Sequence, residues 1–105
     1  MNSGRLKLHE ELCSILGSRN VYFQPPESLK MQYPAIVYSR SDIANTHADN
    51  DVYQQNIKYK VTVIDGKPDS IITEKLSTFK HAVFERHYTS DNLNHDQFTV
   101  SYIKK

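Results

Sequence analysis

The stretch YQQNIKYKVTVID at residues 53–65 decides the fold class. Its large apolar side chains share one parity along the chain: Tyr53, Ile57, Tyr59, Val61 and Val63. Polar side chains take the other parity: Gln54, Asn56, Lys58, Lys60 and Thr62. Alternation with a period of two is typical of a β-strand that has one face on a core and the other in water. The stretch therefore predicts a long strand with one buried face.

Two helices are predicted on either side of this strand in the chain. The first spans about residues 4–16, with Ser3 as its N-cap and Gly17 as the left-handed residue that ends it. Its apolar face is set by the i, i+4, i+7, i+8 spacing of Leu8, Leu12, Ile15 and Leu16. The second helix starts near Pro68, a residue favoured in first turns. Its predicted apolar face consists of Ile72, Leu76, Phe79 and Val83.

Further strands are predicted at residues 21–23 and 35–39 and in a hairpin at residues 84–102, which gives the order α-β-β-β-α-β-β. Residues 41–51 are rich in serine, asparagine, aspartate and threonine, and we interpret them as a long polar loop. The chain is predicted to form one α+β domain over residues 1–105. Its antiparallel-rich sheet of four to five strands carries both helices on one face. The strand order is left open, and the crossover through the second helix allows one parallel pair.

The final hairpin carries a constraint on its turn. Phe84, Arg86 and Tyr88 have one parity, and we place Phe84 on the same face as Phe98. In a regular antiparallel pair, this arrangement requires an odd number of residues in the turn. We therefore predict a turn of three or five residues with Asn92 in the left-handed region.

Composition excludes several classes of protein. The net charge is +1 and the basic residues are scattered, which argues against a specific nucleic-acid binder. A single cysteine rules out an internal disulfide and a zinc-binding cysteine pair. The three glycines form no phosphate-binding loop. No apolar run reaches the length of a signal peptide or a membrane span, so we expect a soluble chain made in a reducing cytoplasm.

Two residue groups could carry chemistry, each with a plainer alternative. His9 and Cys13 are neighbours on the first helix, where a thiolate–imidazole pair can act as a nucleophile. The preferred interpretation of this pair is a half-buried cysteine beside a solvent-facing histidine. Asp42, Asp49 and Asp51 could bind a divalent cation in the polar loop, but the spacing lacks the glycine and distal glutamate of a calcium loop.

The final hairpin and the tyrosines supply two more candidates. In the predicted register His87 and His95 oppose each other, as two metal-binding histidines would, whereas Asp96 has the opposite parity and should point away. Surface histidines near a turn are the preferred reading. The seven tyrosines could stack on nucleic-acid bases, but most have the core parity of strands. From these residues we predict no catalytic, cofactor-binding or metal-binding residues.

The sequence also resembles a known group of proteins. The resemblance rests on residues 33–38, 39–45, 52–65, 84–88, 91–95 and 98–102, and it extends from about Leu6 to Ile103. These segments resemble small proteins from the head–tail gene block of long-tailed phages and their prophages, often described as minor capsid or tail-completion proteins. The segment from Arg86 to His95 is the most specific part. The resemblance is a general similarity of these segments and includes no motif of catalytic residues.

The resemblance implies a tail terminator-like fold and a non-catalytic structural role in the virion tail. Such proteins form homo-hexameric rings that cap the tail tube and face the head–tail connector. The expected partners are thus further copies of the chain, the tail tube protein and connector proteins, with no membrane, small-molecule substrate, cofactor or specific nucleic-acid target. The interface residues expected from the loop position are Arg40, Asp42, Asn45, His47, Asp49, Asp51 and Tyr53.

Two other function classes stay open. The first is a head–tail adaptor, a stopper or another small binding module, which would need a basic stripe or an exposed apolar groove. The second is a metal-dependent nuclease that uses Asp42, Asp49 and Asp51, which would need these carboxylates to converge.

Overall fold

Seven elements make up the fold in the predicted order. A computed structural model describes residues 3–25, 30–48, 51–67, 70–79 and 81–104. The elements are α1 (Ser3–Leu16), β1 (Val21–Phe23), β2 (Ala35–Ala48), β3 (Asp51–Asp65), α2 (Ile71–Ser77), β4 (Ala82–Ser90) and β5 (Leu93–Lys104). The fold is α+β, as predicted. Within the described residues, no helix has the length and apolar character needed to span a membrane.

The five strands form one mixed sheet in the order β1-β2-β3-β5-β4. Three pairs are antiparallel, whereas β1 runs parallel to β2, with Val21 opposite Ile36 and Phe23 opposite Tyr38. The parallel pair therefore involves the first strand. It does not arise from the crossover through α2, which joins β3 to β4 across the intervening β5.

The core lies between one face of the sheet and both helices. The predicted apolar parity of β3 is confirmed, because Ile57, Tyr59, Val61 and Val63 are all buried. They contact Leu8 and Leu12 of α1, Ile72 and Leu76 of α2, Ile36 and Tyr38 of β2, and Phe98 and Val100 of β5 in one cluster. We call this side of the sheet the helix face. The opposite side, with Lys58, Lys60 and Thr62 of β3 and Gln97 and Thr99 of β5, is called the open face.

The ends of α1 follow from local chemistry. Gly17 has φ +81° and its N–H donates to the carbonyl of Cys13 at 2.8 Å, which confirms it as the left-handed residue that ends the helix. At the other end the helix already includes Ser3, so the prediction that Ser3 stands outside it as a cap is wrong by one residue.

The second helix is shorter than predicted. It begins at Ile71, and the hydroxyl of the N-cap residue Ser70 accepts a hydrogen bond from the Ile72 N–H at 3.2 Å. The predicted start at Pro68 lies outside the described residues. Val83 is not part of the helix, because the chain has already entered β4, where Val83 is 59% exposed.

The β4–β5 hairpin satisfies the parity constraint in a way that the sequence did not suggest. Its turn has two residues, Asp91 and Asn92, both with positive φ (52° and 63°), so the prediction of a three- or five-residue turn is wrong. A register shift between Phe84 and Arg86 leaves Glu85 as a β-bulge. The bulge restores the predicted pairing of Phe84 with Phe98, whose rings lie 5.3 Å apart. It also moves Arg86 and Tyr88 to the open face, away from Phe84.

Candidate functional site

The described residues of the predicted contact loop, 41–48 and 51, belong to two paired β-strands. β2 continues to Ala48 and β3 begins at Asp51, so nearly the whole segment is strand. We define the arm as residues 39–48 of β2 with residues 51–60 of β3, beyond the last pairing of β2 with β1 at Tyr38. The composition suggested a loop because it lacks apolar alternation. Strand pairing is made by backbone hydrogen bonds, and a solvated hairpin needs no apolar face.

Six of the seven predicted interface residues lie on this arm. Arg40, Asp42, Asn45 and His47 lie on β2, Asp51 and Tyr53 lie on β3, and Asp49 lies outside the described residues. Asp42 pairs with Lys58 near the base, whereas Asp51 pairs with Ala48 at the far end. Six residues of strand separate the two positions, about 20 Å at the usual rise. Asp42 and Asp51 therefore do not converge as a nuclease or cation site requires.

Within the part of the chain that the structure describes, the outer part of the arm has no neighbouring strand. On one side β5 last pairs at Lys104 opposite Gln55, and on the other side β1 ends opposite Tyr38. Register shifts after Arg40 and after Thr46 mark two irregularities in the arm, which bend and twist a hairpin. The molecule measures 51 × 27 × 22 Å along its principal axes, in keeping with a hairpin that extends well past its sheet.

The pair His9 and Cys13 does not form a nucleophilic site. The Nδ1 atom of His9 is hydrogen-bonded to the hydroxyl of Tyr38 at 2.7 Å. Cys13 is 7% exposed, and burial raises the pKa of its thiol, which disfavours the reactive thiolate. Burial, with a further contribution from Arg19, lowers the pKa of His9, so its neutral form is favoured.

An open depression of about 390 Å³ lies beside Cys13 at the end of α1. It is lined by Glu10, Cys13, Ser14, Gly17, Ser18 and Arg19. Arg19 donates two hydrogen bonds of 3.0 Å to the carboxylate of Glu10 across it, and these hold the pKa of that carboxyl below its usual range. The two charged groups thus neutralise each other, and the depression offers no unpaired charge from this pair.

The two histidines of the final hairpin lie on opposite faces of the sheet. Because the turn has two residues, His87 pairs with Asp96 on the helix face and His95 pairs with Tyr88 on the open face. The prediction that His87 and His95 oppose each other is therefore wrong. Asp96 has the parity opposite to that of His95, as predicted, but it faces His87 and does not point away from it. Among the described residues, no group of three histidine, cysteine or acidic side chains is placed to hold a metal ion.

His87, Asp96 and Thr73 instead form a hydrogen-bonded chain between α2 and both strands of the hairpin. The carboxylate of Asp96 is only 6% exposed. One oxygen lies 2.6 Å from Nδ1 of His87, and the other accepts a hydrogen bond from the Thr73 hydroxyl at 2.7 Å. The sequence offered no signal for this site, since the parity pattern does not separate a two-residue turn with a bulge from an odd-numbered turn.

The chemistry available to the three hydrogen-bonded side chains depends on which atoms remain free to donate or accept a proton. A neutral His87 bonded through Nδ1–H to a carboxylate keeps Nε2 as an acceptor, and its side chain is 43% exposed. Such an imidazole can accept a proton or a single metal bond. The Thr73 hydroxyl donates to the carboxylate and not to the imidazole, so it is not activated as a nucleophile. The geometry is that of a structural tie, with a proton acceptor exposed at its end.

Of the tyrosines with described side chains, Tyr38, Tyr59 and Tyr88 are in contact with other residues of the protein, whereas Tyr33 is 47% exposed. Tyr38 and Tyr59 are buried in the core. Tyr88 lies on the open face, but its ring stacks on His95 with centroids 4.6 Å apart, and the guanidinium of Arg86 lies 4.6 Å from the ring centroid. The side chains of Tyr53 and Tyr102 lie outside the described part of the structure.

Comparison with known proteins adds no family. No family model matches the sequence, and no curated protein matches it.

Proposed function

We propose that this protein is a non-catalytic structural component of a phage tail or head–tail junction, and that it forms a ring as a tail terminator. In this proposal the arm is the contact element, and it seats against a neighbouring copy of the chain or the tail tube protein. Connector proteins of the head–tail junction would meet the other side of the ring. The protein would be made in the host cytoplasm and act in the virion tail.

The outer arm is the observation that carries the proposal. Residues 46–48 and 51–54 form a two-stranded ribbon that neither β1 nor β5 accompanies. An isolated ribbon is marginally stable in water, and its unpaired backbone groups are a ready template for another chain. A ribbon that extends from a packed body therefore gains most when a partner covers it. The resemblance to tail-completion proteins supplies the kind of partner.

The proposal is tested by shortening the arm. Replacing residues 47–53 with Asn-Gly joins Thr46 to Gln54, which are directly opposed, through the two-residue turn that hairpins prefer. This variant keeps every pairing of β3 with β5, so we expect it to fold. It loses His47, Asp49, Asp51 and Tyr53 of the expected interface. Circular dichroism and urea unfolding serve as the check that the body is intact.

The readout is mass by light scattering after size exclusion, with and without tail tube protein. We expect the full chain to give a species near six times 12.2 kDa, alone or on the tube, and the shortened variant to give none. Equal assembly of the two proteins would contradict the role of the arm. Failure of the full chain to assemble or to bind tube protein would contradict the terminator proposal, and binding of a single copy to a connector protein would favour an adaptor.

A further inference from the structure

The outer edge of β4 is an exposed strand edge at one side of the sheet. β4 is the last strand of the sheet, and among the described strands it pairs only with β5. Residues Val83 to His87 are all exposed. Val83 is 59% exposed on the open face, and Phe84 is 51% exposed on the helix face. Apolar side chains on both sides of an unpaired edge favour association with another strand.

The sequence of this edge is complementary to itself. In an antiparallel pair of two β4 strands, Glu85 of one copy can oppose Arg86 of the other, and Arg86 can oppose Glu85. The contact then contains two reciprocal ion pairs. Neither residue forms a salt bridge with another described residue, since the described salt bridges join Arg19 to Glu10 and His87 to Asp96.

The bulge makes this register possible. Two identical strands that pair about a two-fold axis normal to the sheet must place side chains of the same face opposite each other. In a regular strand, Phe84 and His87 differ by an odd number of positions and point to opposite faces. The extra residue Glu85 shifts the alternation by one, so that Phe84 and His87 share the helix face and Val83 and Tyr88 share the open face.

The same register covers the exposed apolar side chains. With Glu85 opposite Arg86, Phe84 of each copy opposes His87 of the other, and Val83 opposes Tyr88. All four of these side chains have surface left to bury, since only Tyr88 among them is part-buried in the single chain. Aromatic and β-branched pairs are among the most favourable neighbours across strands.

From these observations we infer that two copies of the protein associate through their β4 edges and join their two five-stranded sheets into one. This edge is opposite to the β1 edge in the strand order and contains no residue of the arm. The contact is thus a second self-association surface, independent of the proposed ring. A single strand pair is at the small end of specific interfaces, so the dimer should be weak and depend on concentration.

The test is the mass of the full chain from low micromolar to millimolar concentration, by analytical ultracentrifugation. We expect a species of twice 12.2 kDa to grow with concentration. R86E places like charges opposite each other twice and should weaken the dimer by about tenfold or more. The swap E85R/R86E recreates both ion pairs and should restore it. K7E makes the same charge change at an exposed position of α1, away from both the edge and the arm, and should leave the dimer unchanged.

Three outcomes of this series would overturn the inference, and the shortened-arm variant adds a fourth. The three are a monomer at every concentration, an equal effect of R86E and K7E on the dimer, or failure of the swap to restore a dimer lost in R86E. The swap also separates the ion pair from the contact of Arg86 with the Tyr88 ring, which it does not restore. The shortened-arm variant should still form the two-copy species, so a loss of that species on shortening the arm would also exclude the β4 contact. The two proposals can therefore fail separately.

Discussion

The hydrogen bonds of Asp96 with Thr73 and His87 give a prediction about stability. It depends on the solvent exposure of the two partners and not on the lengths of the hydrogen bonds. The two hydrogen bonds have nearly equal lengths, 2.7 Å to Thr73 and 2.6 Å to His87. By length alone, the hydrogen bond of Asp96 with His87 would be at least as strong as the one with Thr73. However, His87 is 43% exposed, and water screens a charged contact at such a site.

The expected magnitudes follow from this difference. Thr73→Val keeps the shape of the side chain but leaves an oxygen of a buried carboxylate without its donor, which should cost about 1.5–3 kcal/mol of unfolding free energy. His87→Ala removes a screened partner and should cost about 0.2–1 kcal/mol. Asp96→Ala removes both contacts and should cost about 2–4 kcal/mol. Thr89→Ala, at an exposed position of β4, measures the cost of alanine in this edge strand.

The assay is urea unfolding at neutral pH, followed by circular dichroism. The slope m should be the same in all variants if only the folded state is affected. A double-mutant cycle for each pair gives the coupling energy directly, and we expect the Thr73–Asp96 coupling to exceed the His87–Asp96 coupling. A larger coupling for His87 would refute the reasoning, because it would mean that the imidazole is shielded from water in solution.

Three further predictions concern single residues. Because burial lowers the pKa of His9 below its ordinary value of 6.5, the unfolded chain binds more protons near that pH, and stability should fall as the pH drops below about 6.5. His9→Gln should remove this part of the pH dependence in urea unfolding at pH values above and below that range, and an unchanged profile would contradict it. Gly17→Ala should lower the free energy of unfolding by about 1 kcal/mol in thermal unfolding, because φ is +81° at this residue. Steric contact is not the reason, since a Cβ at Gly17 meets no neighbour. Gly66→Ala, with equal space and no positive φ, should lower it less. Asn92→Gly should keep or raise the melting temperature because both turn residues have positive φ, and Asn92→Val should lower it; the reverse order would exclude this turn type.

The fold class could be predicted because buried residues recur in the sequence with the period of the helix or strand that contains them. Ile57, Tyr59, Val61 and Val63 alternate because one side of β3 meets two helices, and Leu8 and Leu12 are spaced by one helical turn for the same reason. The arm could not be predicted in this way. Its polar composition is compatible with a loop or with a solvated ribbon, and only backbone pairing distinguishes the two.

The candidate sites were harder to predict because they depend on the length of one turn. The inference that Phe84 faces Phe98 is confirmed, but an odd-numbered turn and a bulge satisfy the same parity, and the sequence does not separate them. The choice decides which side chain meets Asp96. An odd-numbered turn would have set His95 against His87, whereas the two-residue turn pairs His87 with Asp96 and His95 with Tyr88.

The position of β5 has a consequence for how the chain reaches this fold. β5 is last in sequence among the strands, yet it lies inside the sheet between β3 and β4. Until it is in place, the apolar face of β3 lacks Phe98 and Val100, and β4 has no strand to pair with. The pairing of Gln55 with Lys104 spans nearly half the chain, so it is a slow, non-local step by comparison with the closure of either hairpin. During synthesis, β3 and β4 would each lack a pairing strand until β5 is made. Folding should therefore be completed in a single cooperative event after β5 has left the ribosome.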